Sequence, residues 1–146
     1  MKNKPLIFLS YARDDQDAVK PIYEKLRAEG YNPWMDQFDI FPGENWERSI
    51  RVAIQNADFF LIFLSTHSVN RRGFLQKEIR AALDAWNTML MSDIYLIPVR
   101  FSACSIPDEL SAFQWVDIFD DSGWDRLLAA IEVGLKRRKN DPKRKK

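Results

Sequence analysis

The chain has 146 residues with 22 basic and 21 acidic side chains, a net charge of +1, so no global electrostatic pull draws it towards nucleic acid or anionic lipid. Its 46% apolar content and frequent aromatics exclude a disordered chain, and the length suits about one domain around a single core. A single cysteine, Cys104, excludes an intrachain disulfide and fits a reducing cytoplasm, while the longest apolar run, Phe59 to Leu64, is too short to cross a bilayer.

From the N-terminus, LIFLS (6–10) is a short apolar run bounded by polar residues, the pattern of a buried strand. YARDDQD follows, and Asp14 or Asp15 is most simply a helix cap there. Val19, Ile22, Tyr23 and Leu26 then recur at helical spacing up to Gly30. Pro21 is expected in the first turn of that helix, where its missing N–H costs little. YNPWMD (31–36) reads as a second strand, and Pro33 puts it at a sheet edge. QFDIFPGEN (37–45) reads as a loop with a Pro-Gly turn. A helix from about Trp46 presents Ile50, Ala53, Ile54 and Ala57 on one face.

FFLIFLS (59–65) shows no alternation, so both its faces are buried, as in the middle of a parallel sheet. RRGFLQKEIRAALDAW (71–86) puts Leu75, Ile79, Ala82 and Trp86 on one helical face, with Phe74 and Glu78 one turn apart beside it. IYLIPVR (94–100) and WVDIF (115–119) supply two more strands. Ser122 to Asp125 has capping-box spacing and opens a last helix through Leu127, Leu128, Ile131 and Leu135. Strands alternating with helices imply right-handed crossovers. The expected fold is a three-layer, flavodoxin-like α/β domain over residues 1–136, with a five-stranded, mostly parallel sheet and helices on both faces. Residues 137–146 read as a basic tail or linker.

Ligands of such sheets bind outside the carboxyl ends of the strands. Five glycines form neither a dinucleotide fingerprint nor a phosphate-binding loop. The single histidine, His67, has no nucleophile elbow around it, and no Cys/His cluster exists for a metal. A phosphoacceptor receiver needs an aspartate just after the third strand, where this chain has Leu64-Ser65. Cys104 reads as a small buried hydrophobe. What remains at the strand ends is Tyr11, Ala12, Arg13, Asp14 and Asp15; then Asp36, Phe41 and Trp46; then Phe74 and Glu78. Each has a plain alternative: Arg13 a solvated charge, Trp46 a core residue, Glu78 a surface carboxylate.

Together these stretches resemble a family. IFLSYARDD looks like the first-strand signature of TIR (Toll/interleukin receptor) domains. DQFDIFPGENW resembles the BB loop of bacterial members, with Pro42-Gly43 as its Pro-Gly pair. FFLIFLS followed by FLQKE resembles their third strand and the helix with an aromatic-x-x-x-Glu motif, here with Phe74 where Trp is commoner. The similarity runs in order from about residue 5 to 135. It implies NAD⁺ hydrolase activity, with NAD⁺ as substrate, no separate cofactor and no metal. By resemblance, Glu78 is the catalytic residue, Tyr11, Ala12 and Arg13 border the nicotinamide and ribose, Phe41 and Trp46 lie near the dinucleotide, and Phe74 stacks. It also implies other TIR domains as partners through head-to-tail self-association, and a fused or separate sensor domain; the near-neutral charge speaks against membrane and nucleic acid as partners, and only the basic tail leaves open a weak contact with either. Many TIR domains are instead pure interaction modules, so the resemblance leaves two functional classes open.

A single carboxylate suits that chemistry. Cleaving the nicotinamide–ribose bond builds oxocarbenium character at C1′, as in glycoside hydrolysis. Nicotinamide leaves as a neutral molecule from a cationic pyridinium, so the reaction needs no general acid. One carboxylate facing the growing positive charge is enough to stabilise it. Phe38 and Phe41 make the loop at 37–45 unusually apolar; they either fold back into the domain or meet a neighbouring protomer.

Overall fold

The computed structural model describes residues 4–69, 80, 83, 84, 86, 87 and 94–139. Its organising element is β3 (Phe59–Leu64), six apolar residues that are all buried. Successive side chains of a strand point to opposite faces, so such a run needs cover on both sides. Phe59, Leu61 and Phe63 enter one core, and Phe60, Ile62 and Leu64 enter a second. β3 is the middle of a five-stranded sheet with β1 (Leu6–Ser10), β2 (Asn32–Trp34), β4 (Leu96–Arg100) and β5 (Val116–Asp117). The order is β2-β1-β3-β4-β5 and every pairing is parallel, with Ser10 opposite Ile62 and Leu64 opposite Arg100. The expected edge position of Pro33 is found, since β2 pairs on one side only.

The first core is closed by α1 (Gln16–Ala28), through Val19, Ile22, Tyr23 and Leu26, and by α5 (Gly123–Lys139), through Leu127 and Ile131. The second is closed by α3 (Trp46–Asn56) through Ala53, with Ala57 just beyond it. Leu83 and Trp86 pack onto this second core, and Trp86 meets Phe113 edge to face at 5.2 Å. Arg80, Leu83, Asp84 and Trp86 have helical backbone, as their spacing predicts. The rest of that stretch, including residues 70–79 with Phe74 and Glu78, lies outside the described residues.

Three local expectations are corrected. Pro21 lies inside α1 and not in its first turn, because a 3₁₀ turn, Arg13–Asp15, feeds a helix that already starts at Gln16. An interior proline costs a helix about 3 kcal/mol. Four buried side chains at about 1.5–3 kcal/mol each outweigh that, and Pro21 itself faces solvent. The loop at 37–45 begins with a helical turn, α2 (Asp36–Asp39), which Asp39 ties back by accepting the Met35 amide at 2.9 Å. The basic tail expected from residue 137 starts as helix, since α5 runs to Lys139.

α5 is seated on Phe59. Gly134 lies against that ring so closely that a Cβ there would be 2.8 Å from its Cε1. One turn later the Arg138 guanidinium stands 4.6 Å over the same ring and donates to the Ile94 carbonyl at 2.9 Å and to the Asp58 carbonyl. The Asp58 carboxylate, 3.6 Å from Arg138, also accepts the Leu6 amide at 2.8 Å. Arg138 therefore joins the starts of β1, β3 and β4. Arg138→Ala should cost about 2–3 kcal/mol by stranding these acceptors, or roughly 6–9 °C in melting temperature at this size. Lys139→Ala, on an exposed side chain, should leave it unchanged; equal melting curves for the two variants would refute the anchor.

Candidate functional site

The carboxyl ends of β1, β3 and β4 form one edge of the sheet. Nothing polar can sit within β3, so polar chemistry collects in the loops beyond it. After β1, the half-buried Tyr11 donates its hydroxyl to the Asp36 carboxylate at the head of α2. Burial, more than this bond, pushes the phenol well above its ordinary range. The hydroxyl is thus a structural tie between the first and second loops. Ala12 is fully buried, and its carbonyl accepts the Asp15 amide at 2.8 Å, closing the 3₁₀ turn that holds Arg13 out in solvent. Tyr11, Ala12 and Arg13 therefore stand together on a rigid turn.

Asp15 does not cap α1; its side chain makes no cap bond. It is 6% exposed, and its Oδ2 accepts the Ser65 hydroxyl at 2.7 Å, 50 positions along the chain. Ser65 opens α4 (Thr66–Val69) by a reciprocal pairing. The Ser68 amide donates to Ser65 Oγ at 3.1 Å, and the Ser65 amide donates to Ser68 Oγ at 2.8 Å. This is a capping box with serine in place of glutamate. The only sequence signal for it is Ser-x-x-Ser after an apolar strand. After β4, Arg100 forms a two-pronged ion pair with Asp117 at 2.6 and 2.9 Å and donates to the Cys104 carbonyl at 2.6 Å. Arg100 holds the Asp117 carboxyl below its usual range, and burial raises the Cys104 thiol, which fits a packed side chain and not a nucleophile. Among the described residues no group of His, Cys, Asp and Glu is placed to hold a metal ion, and no helix is long and apolar enough to cross a membrane.

The second loop resolves the two aromatic alternatives differently. Phe38 folds back, 5.0 Å from the Tyr23 ring. Phe41 does not, and is 67% exposed. It begins a type II turn, Phe41-Pro42-Gly43-Glu44, with Gly43 at φ +92° and the Glu44 amide donating to the Phe41 carbonyl at 3.0 Å. Glu44 also accepts the Phe41 amide through its carboxylate at 2.7 Å. Asn45 then caps α3 by accepting the Arg48 amide at 2.9 Å. Trp46 is 59% exposed, which overturns its reading as a core residue. The cause is its position: it is the first residue of α3, one turn before the buried face begins.

The structure thus gathers Tyr11, Ala12 and Arg13, ties them to Asp36, and holds Phe41 and Trp46 open on the adjoining loop. A cavity of about 580 Å³ lies elsewhere, beside Trp86, Ile94, Phe113 and Trp115. A second, of about 540 Å³, lies between Trp34, Asp39 and α3. None of Tyr11, Ala12, Arg13, Asp36, Phe41 and Trp46 lines either.

The profile of the TIR domain family matches residues 7–131. A 2′ cyclic ADP-D-ribose synthase of Bacteroides thetaiotaomicron is 25% identical over 125 residues, covering 78% of this chain and 42% of that protein. An NAD(+) hydrolase of Paracoccus denitrificans is 36% identical over 74 residues, covering 50% of this chain and 24% of that protein. The chain therefore spans less than half the length of these relatives. Among solved structures, the TIR domain of the Toll-related receptor TRR-2 from Hydra magnipapillata superposes with a TM-score of 0.70 at 21% identity, covering 86% of this chain and 97% of that one.

Gly43 has open space around it, so the cost of a side chain there is backbone strain alone. Gly43→Ala should lower stability by about 1–2 kcal/mol, and Gly43→Asn by less, because asparagine tolerates positive φ. Urea titrations giving no difference between Gly43, Ala and Asn would show that the turn is not held as described.

Proposed function

The chain belongs to the TIR domain family, and from that premise we propose that it is an NAD⁺ nucleosidase. It cleaves the nicotinamide–ribose bond to give nicotinamide and ADP-ribose or a cyclic ADP-ribose isomer. The observation that supports this most directly is the extent of the match to a relative named for making a cyclic ADP-ribose, 125 aligned residues spanning most of this chain. The rigid turn carrying Tyr11, Ala12 and Arg13 at the carboxyl edge of the sheet is the second support.

In this reading the Glu78 carboxylate faces C1′ as the C–N bond lengthens. The bonding pair leaves with nicotinamide, which departs neutral. Water then adds to C1′ and loses a proton, or a hydroxyl of the same molecule adds in its place and closes a ring. Phe74 stacks on the substrate. Ala12 and Tyr11 border the nicotinamide and ribose, with the Arg13 guanidinium beside them. At ~4 Å and an effective dielectric of ~20, the carboxylate–cation attraction is at most about 4 kcal/mol, a factor of roughly a thousand in rate. Glu78→Gln should keep the circular dichroism spectrum and reduce NAD⁺ turnover by about two orders of magnitude or more. Turnover within a few-fold of the parent chain, read by separating nicotinamide from NAD⁺, would exclude Glu78 from this role.

The exposure of Phe41 and Trp46 favours a second element of the proposal, that the site is completed by another TIR domain. These residues are too open to enclose a dinucleotide within one chain, yet the turn between them is fixed. A head-to-tail contact places the second loop of one copy over the strand ends of the next and does not close on itself. Without turnover, the same contact serves an interaction module. Activity per protomer should rise steeply from micromolar to hundreds of micromolar, and Phe41→Asp should abolish the rise without changing the fold. A flat profile with appreciable activity would mean that one copy carries a complete site.

A further inference from the structure

We infer that Asp15 is a positioning residue, whose buried carboxylate locks the Tyr11–Arg13 turn to the loop after β3 by accepting the Ser65 hydroxyl. The inference rests on the reading of Tyr11, Ala12 and Arg13 as substrate-binding residues.

Asp15 occupies the N-cap position of α1, where a carboxylate ordinarily accepts an amide of the first turn. Its side chain forgoes that bond and reaches across to the neighbouring strand. A carboxylate this buried needs a specific partner to offset its lost hydration. Its partner is fully committed: Ser65, 5% exposed, donates its hydroxyl to Asp15 and accepts the Ser68 amide on the same oxygen. Ser68, 1% exposed, is fixed in turn by the Ser65 amide and carbonyl. Three buried polar side chains thus connect the ends of β1 and β3, which are adjacent strands. On the β1 side the chain from Ala12 to Asp15 is one hydrogen-bonded turn, so a displacement of Asp15 moves Ala12 and Arg13 with it. Tyr11 is held from the other side by Asp36. The turn is therefore clamped at both ends, and Asp15 is the clamp that lies in the core.

Asp15→Ala should raise KM for NAD⁺ at least tenfold and change kcat by less than threefold, measured on protein whose folded fraction is checked by circular dichroism. Asp15→Asn keeps an oxygen that accepts the Ser65 hydroxyl and should restore KM to within about threefold of the parent. Ser65→Ala removes the same bond from the other side, keeping the test open if Asp15→Ala folds poorly. The double variant should be no worse in KM than the poorer single one. Backbone amide exchange provides a readout without turnover: protection of the Asp15 and Gln16 amides, which close the turn on the Ala12 and Arg13 carbonyls, should fall at least tenfold in Asp15→Ala and remain in Asp15→Asn. An unchanged KM, or a kcat and KM altered equally by Asn and Ala, would overturn the positioning role. If the parent chain does not consume NAD⁺, the functional proposal fails separately, and unchanged exchange at the Asp15 and Gln16 amides would then overturn the clamp by itself.

Discussion

The structure depends on one constraint: β3 has no polar side chain from Phe59 to Leu64, and all six residues are buried. A strand of that kind is stable only between two layers of helix, with partners along both edges. The parallel order, the crossovers and the two cores follow from it. So does the distribution of polar groups. Asp58 stands just before the strand and gathers Leu6 and Arg138, which fastens one end of the sheet. Ser65 stands just after it and gathers Asp15 and Ser68, which fastens the other. The first end holds the fold together, and the second faces the loops where ligands of such sheets bind.

The elements that were legible in the sequence are those whose burial is periodic and local. Val19, Ile22, Tyr23 and Leu26 announce α1 because one helical face suffices to bury them. Pro33 announces an edge because a proline cannot donate to a second neighbour. The misplacements have two causes: a distant contact that changed the use of a correct local pattern, and a helix register that spacing alone did not fix. Asp15 has the chemistry of a cap, but a serine 50 positions away is the stronger partner. Trp46 looks like core, but the register of α3 begins its buried face later. Arg138 looks like the start of a solvated tail, but Phe59 and two carbonyls lie one helical turn beyond Gly134. The candidate site divides in the same way. Tyr11, Ala12 and Arg13 were legible as a group because they are consecutive, whereas the bonds that fix them come from Asp36 and Ser65 and leave no trace in spacing.

Among the described residues the polar site is sparse by comparison with enzymes that carry acid, base and metal. A reaction whose leaving group departs neutral has little need of them, so the Arg13 guanidinium on its hydrogen-bonded turn, with Glu78 in its proposed role, is compatible with NAD⁺ cleavage by this fold. Its loops are held by hydrogen bonds internal to each loop or between neighbouring loops, so surface residues such as Phe41 and Trp46 can vary without disturbing the core.

The turn at Phe41-Pro42-Gly43-Glu44 has a thermodynamic consequence for any partner that meets it. Proline fixes one dihedral, Gly43 sits in a region closed to most residues, and Glu44 closes the turn through both its amide and its carboxylate. Ordering a free backbone costs about 1–2 kcal/mol per residue. Over four residues a loose loop would lose several kcal/mol on docking, enough to weaken binding by orders of magnitude. Here that ordering is completed during folding. A partner that met the Phe41 ring would find it on a backbone already ordered, with most of its apolar area still exposed as driving force at the moment of contact.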